Sequence, residues 1–204
     1  MNCPFCQNFK AELFHRDDVR EFFRCPDCTI IFVPRSSLIS HSEEKKRYDS
    51  HQNEETDPEY RRYFLKTVNP VAGQVSKNAR GLDFGCGKTR LMEKLFMECN
   101  IEVDSYDHFY FRDESIWQKS YDFAVLNEVI EHLNDPVKTL AVLKTIVHGP
   151  LFVRTKLYPE TEEAFAKWFY KRDITHVQFF SLKALSRIGE VKELGPDLYR
   201  IDWK

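Results

Sequence analysis

Two closely spaced pairs of cysteines lie near the N-terminus of the chain. Both have the pattern CPxC, at Cys3 and Cys6 and again at Cys25 and Cys28. A tight turn at each pair brings two thiolates together, and two such turns can surround one zinc ion tetrahedrally. Such a segment can fold with few apolar residues, because the metal supplies folding energy. The pattern therefore predicts a structural zinc site at these four cysteines.

The residues around the cysteines have the pattern of short strands. A hairpin is predicted between the pairs and a third strand after them, in AELFHRDD, REFFRC and IIFV. Residues 1–35 thus resemble a zinc ribbon. A redox-active dithiol and an iron site of the rubredoxin type are the alternatives. Acidic and basic residues nearly balance in this segment, which favours a structural role over binding of nucleic acid.

Charge and hydrophobicity exclude several classes of protein. The 204 residues include 30 Lys and Arg against 32 Asp and Glu, a formal net charge of -2, so no overall field attracts nucleic acid or an acidic membrane surface. No apolar run approaches the roughly 20 residues of a membrane helix. The N-terminal sequence MNCPFCQNFK lacks the apolar core of a secretory signal. We therefore expect a cytoplasmic protein with reduced cysteines and no membrane partner.

The rest of the chain divides into a polar segment and a long α/β segment. Residues 36–78 are charge-dense and predict one or two short helices. Residues 79–204 alternate helical patterns with short apolar strands, in RGLDF, IEVDSYDHF, YDFAVL, LFVRT and VKELG. This alternation predicts a parallel sheet covered by helices. A turn at Gly195 and Pro196 predicts that the last two strands are antiparallel.

A glycine-rich turn follows the first of these strands. In LDFGCG, Gly85 and Gly87 stand where a strand ends and a helix begins, and glycine there lets the backbone approach a ligand closely. A phosphate-binding P-loop would need glycine at the position of Leu82, so this interpretation fails. Asp107 ends the next strand about 20 residues further on, where a carboxylate can accept hydrogen bonds from both ribose hydroxyls of a nucleoside cofactor.

The sequence LDFGCG resembles the first motif of class I S-adenosylmethionine (SAM) methyltransferases, although Thr89 replaces the next glycine of that motif. The resemblance implies a Rossmann-like sheet with SAM bound at its edge and the glycines beside the methionine part of SAM. It also implies that the cofactor contacts include Asp83, Gly85, Cys86, Gly87 and Asp107.

The segment after the strand YDFAVL carries a second set of candidates. The resemblance implies that Asn127 and Glu128 face the methyl donor there, so that both contact the cofactor. If residues 127–133 are helical, Glu128, Glu131 and His132 share one face. Two carboxylates and an imidazole on one face form half of a shell for a divalent cation.

The sequence from Glu128 to His132 resembles the ExxEH motif of the ubiquinone-type O-methyltransferases and the small-RNA 2'-O-methyltransferases. In those families the motif and a later histidine hold a divalent cation, which implies catalytic roles here for Glu128, Glu131, His132 and His176. Without a metal, His132 or His176 is instead the general base, oriented by the carboxylates. The simplest alternative is that these residues only pack a short helix.

Two parts of the predicted cofactor site depart from the usual pattern. Too few residues join YDHF to YDFAVL for the third strand of a methyltransferase sheet, so this strand is predicted to be abbreviated around Phe109–Arg112. The rings of Phe109, Tyr110 and Phe111 are candidates for stacking on adenine. The nearly balanced charges of residues 36–78 favour a solvated helical linker. Related methyltransferases cover SAM with helices that precede the sheet, which implies a lid as the alternative. Its candidate contacts are Tyr48, His51 and Asn53.

Together, the CPxC pairs, GLDFGCG, YDHF and YDFAVLNEVIEHLNDP resemble small bacterial-type class I methyltransferases with an N-terminal zinc-binding segment. The resemblance covers nearly the whole chain and implies a SAM-dependent methyltransferase that acts on a small molecule. An RNA methyltransferase with a divalent cation at the ExxEH motif is the first alternative. A zinc-ribbon adaptor without catalytic activity is the second. The sequence does not indicate the acceptor or the oligomeric state.

Overall fold

The computed structural model describes residues 1–50 and 54–204, which form two β-sheets and the helices around them. The strands are β1 (Glu12–Arg16), β2 (Glu21–Arg24), β3 (Ile31–Phe32), β4 (Arg80–Phe84), β5 (Glu102–Tyr106), β6 (Phe123–Asn127), β7 (Leu151–Arg154), β8 (Gln178–Phe179), β9 (Gly189–Gly195) and β10 (Leu198–Trp203). The helices are α1 (His41–Asp49), α2 (Pro58–Ala72), α3 (Leu91–Glu98), α4 (Pro136–Ile146), α5 (Glu162–Lys167) and α6 (Leu182–Leu185). No described helix has both the length and the apolar run that crossing a bilayer requires.

Within the described residues, the larger sheet has six strands in the order β5-β4-β6-β7-β10-β9. The first four are parallel, β10 runs antiparallel to β7, and β9 runs antiparallel to β10. β6 and β7 are buried along most of their length, because a near-continuous apolar sequence suits a strand covered on both faces. The predicted α/β class, the parallel sheet and the final antiparallel pair are confirmed.

A turn replaces the third parallel strand beyond β5 in the described structure. The side chain of Asp107 accepts hydrogen bonds from the N–H groups of Phe109 (2.8 Å) and Tyr110 (3.1 Å), which turns the chain back. A short antiparallel bridge joins Asp107 to Phe111, and a 3-10 helix follows at Glu114–Gln118. β5 is therefore an edge strand, and the predicted abbreviation of the third strand is confirmed.

Two Asp-Pro sequences begin the helices that lie beside the carboxyl ends of the strands. The carboxylate of Asp57 accepts a hydrogen bond from the N–H of Glu59 (2.8 Å) at the start of α2. Asp135 accepts one from the N–H of Lys138 (3.1 Å) at the start of α4. The proline after each aspartate fits the first helical turn, where no N–H is needed.

The smaller sheet joins the N-terminal segment to the C-terminal part of the chain. Its strand order is β1-β2-β3-β8, and all its strand pairs are antiparallel. β3 and β8 pair through Ile31 with Phe179 and through Phe32 with Gln178. The short N-terminal strands cannot enclose a core by themselves, and they pack instead against aromatic residues around α5 and β8. The N-terminal strands are thus held by the same core as the C-terminal ones.

Phe165, on α5, lies at the centre of this shared core and is 0% exposed. Its ring lies 5.2 Å from the ring of Phe22 on β2 and 5.5 Å from that of Phe179 on β8, measured between centroids. Removing this ring leaves a cavity that the surrounding rings cannot fill, so we expect Phe165→Ala to lower the free energy of unfolding by about 3–5 kcal/mol. Phe169→Ala is the matched control, because Phe169 is 62% exposed.

Urea unfolding followed by circular dichroism measures both variants. The control should stay within about 0.5 kcal/mol of wild type. Equal losses in the two variants would contradict the shared core.

Candidate active site

A cavity of about 1010 Å³ lies at the carboxyl ends of β4, β5 and β6. Its volume stands at the top of the range of roughly 300–1,000 Å³ that is typical of small-molecule sites. In open α/β sheets ligands bind at this edge, because loops from several strands converge there. α1, α2 and α4 border the cavity. Nine predicted site residues line it: Asp83, Gly85, Cys86, Gly87, Asp107, Asn127, Glu128, His132 and His176.

The glycine-rich turn forms one wall of the cavity. Gly85 (φ +85°) and Gly87 (φ +68°) both have left-handed backbone conformations. A Cβ on Gly85 would come within 2.5 Å of the Val129 side chain, whereas one on Gly87 would meet no atom within 4 Å. Gly85 is thus required by packing inside the protein, and Gly87 leaves open space on the cavity side. Cys86 between them is buried and also lines the cavity.

Asp107, at the end of β5, lies against this turn. Its Oδ2 atom accepts a hydrogen bond from the backbone N–H of Gly87 at 3.0 Å. Its Oδ1 atom accepts from the loop after β5. The carboxylate is therefore fixed between the ends of β4 and β5, at the cavity wall.

Asp83, on β4, is buried in the same wall and is 2% exposed. Burial, together with the negative charges of Asp107 and Glu93, raises the pKa of its carboxyl group to about 8. Within the described residues its Oδ2 atom has no hydrogen-bond partner. A buried polar atom without a partner is costly, so this oxygen points to a ligand or an ordered water molecule.

Asn127 is held by a network that the sequence did not reveal. Its Oδ1 atom accepts a hydrogen bond from the hydroxyl of Thr67 on α2 at 2.7 Å. That hydroxyl in turn accepts one from Arg154 Nη1 at 3.1 Å. Arg154 is only 7% exposed, and its guanidinium lies 5.1 Å from the ring centroid of Tyr63. A charged residue at the end of the apolar strand LFVR was the one available signal for this network.

The segment 127–133 is not the helix that would place Glu128, Glu131 and His132 on one face. Glu128 is left-handed (φ +56°), and only Ile130–His132 forms a single 3-10 turn. The N–H of Glu128 donates to the carbonyl oxygen of Arg154 at 2.8 Å, so pairing with the neighbouring strand continues to this point. The chain therefore leaves β6 through a tight turn, and the expectation of a shared helical face is wrong.

Tyr170 brings the two glutamates together instead. Its hydroxyl is hydrogen-bonded to Glu128 Oε2 at 2.9 Å and to Glu131 Oε1. Burial and the charge of Glu128 raise the pKa of Glu131 to about 8, and burial also raises the pKa of Glu128. The tyrosine proton can be donated to only one carboxylate. A protonated Glu131 that donates to the tyrosine oxygen, while the tyrosine donates to Glu128, gives each of these two hydrogen bonds one donor.

His132 and His176 have matching hydrogen bonds. The Nδ1 atom of His132 lies 3.0 Å from the carbonyl oxygen of Thr175, and that of His176 lies 2.7 Å from the carbonyl oxygen of Tyr170. A carbonyl only accepts, so each Nδ1 carries a proton and each Nε2 presents a lone pair when the ring is neutral. Burial lowers the pKa of His176 to about 4, which keeps its ring neutral.

Glu131, His132 and His176 offer ligand atoms that all lie within 4.8 Å of one another. Histidine ligands of metals usually donate their second N–H to a carbonyl or carboxylate, as both of these do. Glu131 Oε2 has no hydrogen-bond partner among the described residues. These donors fit a divalent cation. Glu128 lies outside this cluster and reaches it through Tyr170.

The aromatic candidates divide between two places. Phe109 and Tyr110 line the cavity, whereas Phe111 lies outside it, 4.9 Å from the guanidinium of Arg90. Tyr48, on α1, lines the cavity and contacts the rings of Phe109 and His132. The lid candidates His51 and Asn53 lie outside the described residues.

The four N-terminal cysteines converge at one point. The two CPxC turns face each other. The Sγ–Sγ distance is 3.6 Å from Cys3 to Cys28 and 3.4 Å from Cys6 to Cys25. All four sulfur atoms lie within 4.8 Å of one another. Tetrahedral zinc with Zn–S bonds near 2.3 Å requires a separation of about 3.8 Å, so the donors fit this ion.

Solved methyltransferases share this fold. The 1,6-didemethyltoxoflavin-N1-methyltransferase of Burkholderia thailandensis, crystallised with its substrate and S-adenosylhomocysteine (SAH), is 14% identical, with a TM-score of 0.54 over 94% of this chain and 97% of that one. CalO1, a methyltransferase of calicheamicin biosynthesis in its SAH-bound form, is 13% identical, with a TM-score of 0.53 over 79% of this chain and 57% of CalO1. This chain thus spans little more than half the length of CalO1. The shared fold is that of the class I SAM-dependent methyltransferases.

A family model described as a methyltransferase domain matches residues 50–192, which is more than half of the chain. The chain therefore belongs to the methyltransferase domain family. The prediction of a SAM-dependent methyltransferase is confirmed at the level of family and fold. The four cysteines lie outside the matched residues. No curated protein sequence matches the chain significantly.

The two glycines of the turn should differ in their response to substitution. Gly87→Ala adds only backbone strain and should cost about 1 kcal/mol of unfolding free energy. Gly85→Ala adds the same strain and a clash with Val129 at 2.5 Å, so its cost should be greater by about 1–3 kcal/mol. Urea unfolding of both variants measures the difference. Equal costs would mean that the turn can move away from Val129.

Proposed function

We propose that the chain transfers a methyl group from SAM to a small-molecule acceptor within the cavity. The observation that carries this proposal is the arrangement around Asp107, which is bonded to the glycine turn at one end of a cavity that has imidazoles in its wall. The cavity volume allows a nucleoside cofactor and a small acceptor together. One enzyme of similar fold was crystallised with both SAH and a small heterocyclic substrate.

The cofactor contacts follow from the positions of the strand ends. The Asp107 carboxylate binds the ribose hydroxyls, and the backbone at Gly85, Cys86 and Gly87 lies beside the methionine part. The buried Asp83 carboxyl binds the amino group of that part, directly or through water. Asn127 and Glu128 follow β6 and face the reacting end of the cofactor. SAM supplies the electrophilic sulfonium methyl group, and the protein binds both reactants and excludes water.

The acceptor side is formed by His132, His176 and the two glutamates. We propose that Glu131, His132 and His176 hold a divalent cation, which would orient an acceptor hydroxyl and lower its pKa. The compact cluster and the Glu131 oxygen without a partner support this assignment. In the metal-free alternative, the Nε2 atom of one histidine accepts the acceptor proton. Both versions need the neutral rings that the two backbone carbonyls orient.

The remaining parts of the chain have supporting roles in this proposal. Residues 1–35 form a zinc ribbon whose four thiolates hold a structural ion, in keeping with the expected cytoplasmic location. Residues 36–78 are the lid, and residues 79–204 are the SAM-binding domain. In the lid, Arg47 pairs with Asp173 (3.2 Å), and Asp49 accepts a hydrogen bond from Tyr110 (2.8 Å). α1 therefore spans the cavity from one side to the other.

A small acceptor is favoured over RNA by the balanced charge of the chain, because binding to a phosphate backbone depends on clustered Lys and Arg. An inactive adaptor would have no need for the contact between Asp107 and Gly87 at the wall of an open cavity.

Calorimetric titration of SAH into the zinc-loaded protein tests the cofactor proposal. We expect micromolar binding by wild type and a loss of at least about tenfold in Asp107→Ala, or 1.4 kcal/mol. Asp18→Asn is the control, because Asp18 is an exposed aspartate in the N-terminal hairpin. Absence of binding by the wild type would contradict the proposal.

The same titration detects the charge change at Asp83. With a pKa of about 8, the carboxyl group is mostly protonated at neutral pH in the free protein. A bound ammonium group favours the carboxylate, so binding should release a proton, and SAH affinity should rise between about pH 6 and about pH 7.5. Titrations in buffers of different ionisation enthalpy measure the release. The Asp83→Asn variant should release fewer protons than wild type when SAH binds. An unchanged number of released protons would mean that a group other than Asp83 releases them.

Metal analysis tests the two proposed metal sites separately. Wild-type protein should retain one zinc per chain after dialysis and bind a second metal when manganese is added. Cys25→Ser should lose the zinc, whereas Glu131→Gln and His176→Gln should lose only the second metal. His148→Gln, at an exposed histidine, should behave as wild type. Manganese binding that survives Glu131→Gln would exclude the proposed cluster.

A further inference from the structure

Arg20 is a buried residue in the N-terminal hairpin formed by β1 and β2, and it is 7% exposed. Its guanidinium donates to four carbonyl groups of one segment, residues 170–176, which is named the histidine loop here. Nη1 lies 2.9 Å from the oxygen of His176 and 3.3 Å from that of Ile174. Nη2 lies 3.2 Å from the oxygen of Asp173 and also donates to that of Lys171.

The other two hydrogen-bonded carbonyls of the histidine loop orient the imidazoles of the site. Tyr170 accepts from Nδ1 of His176, and Thr175 accepts from Nδ1 of His132. Six carbonyl groups of one short loop are thus shared between a guanidinium from the hairpin and two imidazoles at the cavity. A shift of the loop away from Arg20 would move the acceptors of both imidazoles.

An arginine is well suited to this position. The end of the loop after Arg172 has no regular secondary structure, so its buried carbonyls need donors from elsewhere. Guanidinium offers five N–H groups in a rigid plane, whereas the ammonium of lysine is a compact group with three. The plane lies 5.1 Å from the ring centroid of Phe22, which limits its movement. An ion pair of 2.6 Å between Asp17 and Lys171 joins the same two segments.

A second connection between the ribbon and the site runs beside the first. The N–H of Val33, just after β3, donates to the oxygen of Val177 at 3.0 Å. The N–H of Val177 donates to the oxygen of Glu131 at 2.9 Å. The N-terminal segment is therefore connected to the backbone of Glu131 through Val177, while Arg20 contacts the backbone of His176 directly.

We infer that Arg20 is a positioning residue of the active site, which fixes the tautomer and orientation of His132 and His176 by holding the histidine loop. The N-terminal hairpin is then a support of the catalytic centre as well as a metal-binding segment. The role of the imidazoles in methyl transfer rests on the proposed function, but their orientation by Arg20 does not.

Nuclear magnetic resonance of protein labelled with 15N-histidine tests the inference without cofactor or acceptor. Long-range proton–nitrogen spectra distinguish an imidazole protonated at Nδ1 from one protonated at Nε2. The samples are the zinc-loaded wild type, Arg20→Gln and Arg20→Lys. The control is Arg16→Gln, because Arg16 belongs to the same hairpin and its side chain is 65% exposed. Zinc content and SAH affinity are measured on every sample.

In wild type and control, His132 and His176 should each show the Nδ1-protonated form alone. Both should lose it in Arg20→Gln and become a mixture of the two tautomers, while SAH affinity stays within about twofold. Manganese affinity should fall by about 10–100-fold, the usual effect of removing a group that orients metal ligands. Arg20→Lys should show the same direction of change, because lysine keeps the charge but cannot reach all four carbonyls.

Two results would overturn the inference. The first is an Arg20→Gln protein that binds zinc and SAH and has unchanged histidine spectra. The second is failure of both Arg20 variants to fold, which would make Arg20 a folding residue only. If the wild type binds no SAH, the proposed function fails, and the histidine spectra still decide the role of Arg20.

Discussion

A ladder of only two residue pairs, between β3 and β8, joins the beginning of the chain to its end. Ile31 and Phe179 face each other there, and the rings of the shared aromatic core pack around them. Because so short a ladder is weak by itself, its stability depends on this core. The pairing in turn places Arg20 beside the histidine loop and Val177 beside Glu131. The geometry around Glu131, His132 and His176 thus depends on a contact that lies far from Glu131 and His132 in sequence.

Burial controls the charge of the cavity. Acidic residues predominate around it, yet burial raises the pKa of both Asp83 and Glu131 to about 8, so neither adds a full negative charge at neutral pH. Asp107 and Glu128 can then lie close to them without strong repulsion. A positively charged ligand reverses this balance, because it favours the ionised carboxylates. The amino group and the sulfonium of the proposed cofactor are cations of this kind.

The sequence predicted the elements that local patterns determine. The apolar runs of β4 to β7 predicted the parallel sheet, and the glycine turn and Asp107 were both predicted at strand ends, where the structure brings them into contact. The spacing in EVIEH would place Glu128 on one helical face with Glu131 and His132, whereas pairing with β7 keeps Glu128 in a tight turn. Arg20 and Tyr170 could not be predicted, because their partners are distant in sequence and depend on the pairing of β3 with β8.

The shortened sheet also affects how the protein avoids other copies of itself. β5 is an edge strand, and the backbone groups along its outer side have no neighbouring strand in the described structure. Asp104 on this strand lies 3.1 Å from Arg80 and 3.0 Å from Lys119, and Glu102 is exposed beside them. A second strand would have to strip water from these charges, and two copies of β5 would bring like carboxylates together. The edge that a missing strand leaves open is therefore protected against edge-to-edge aggregation.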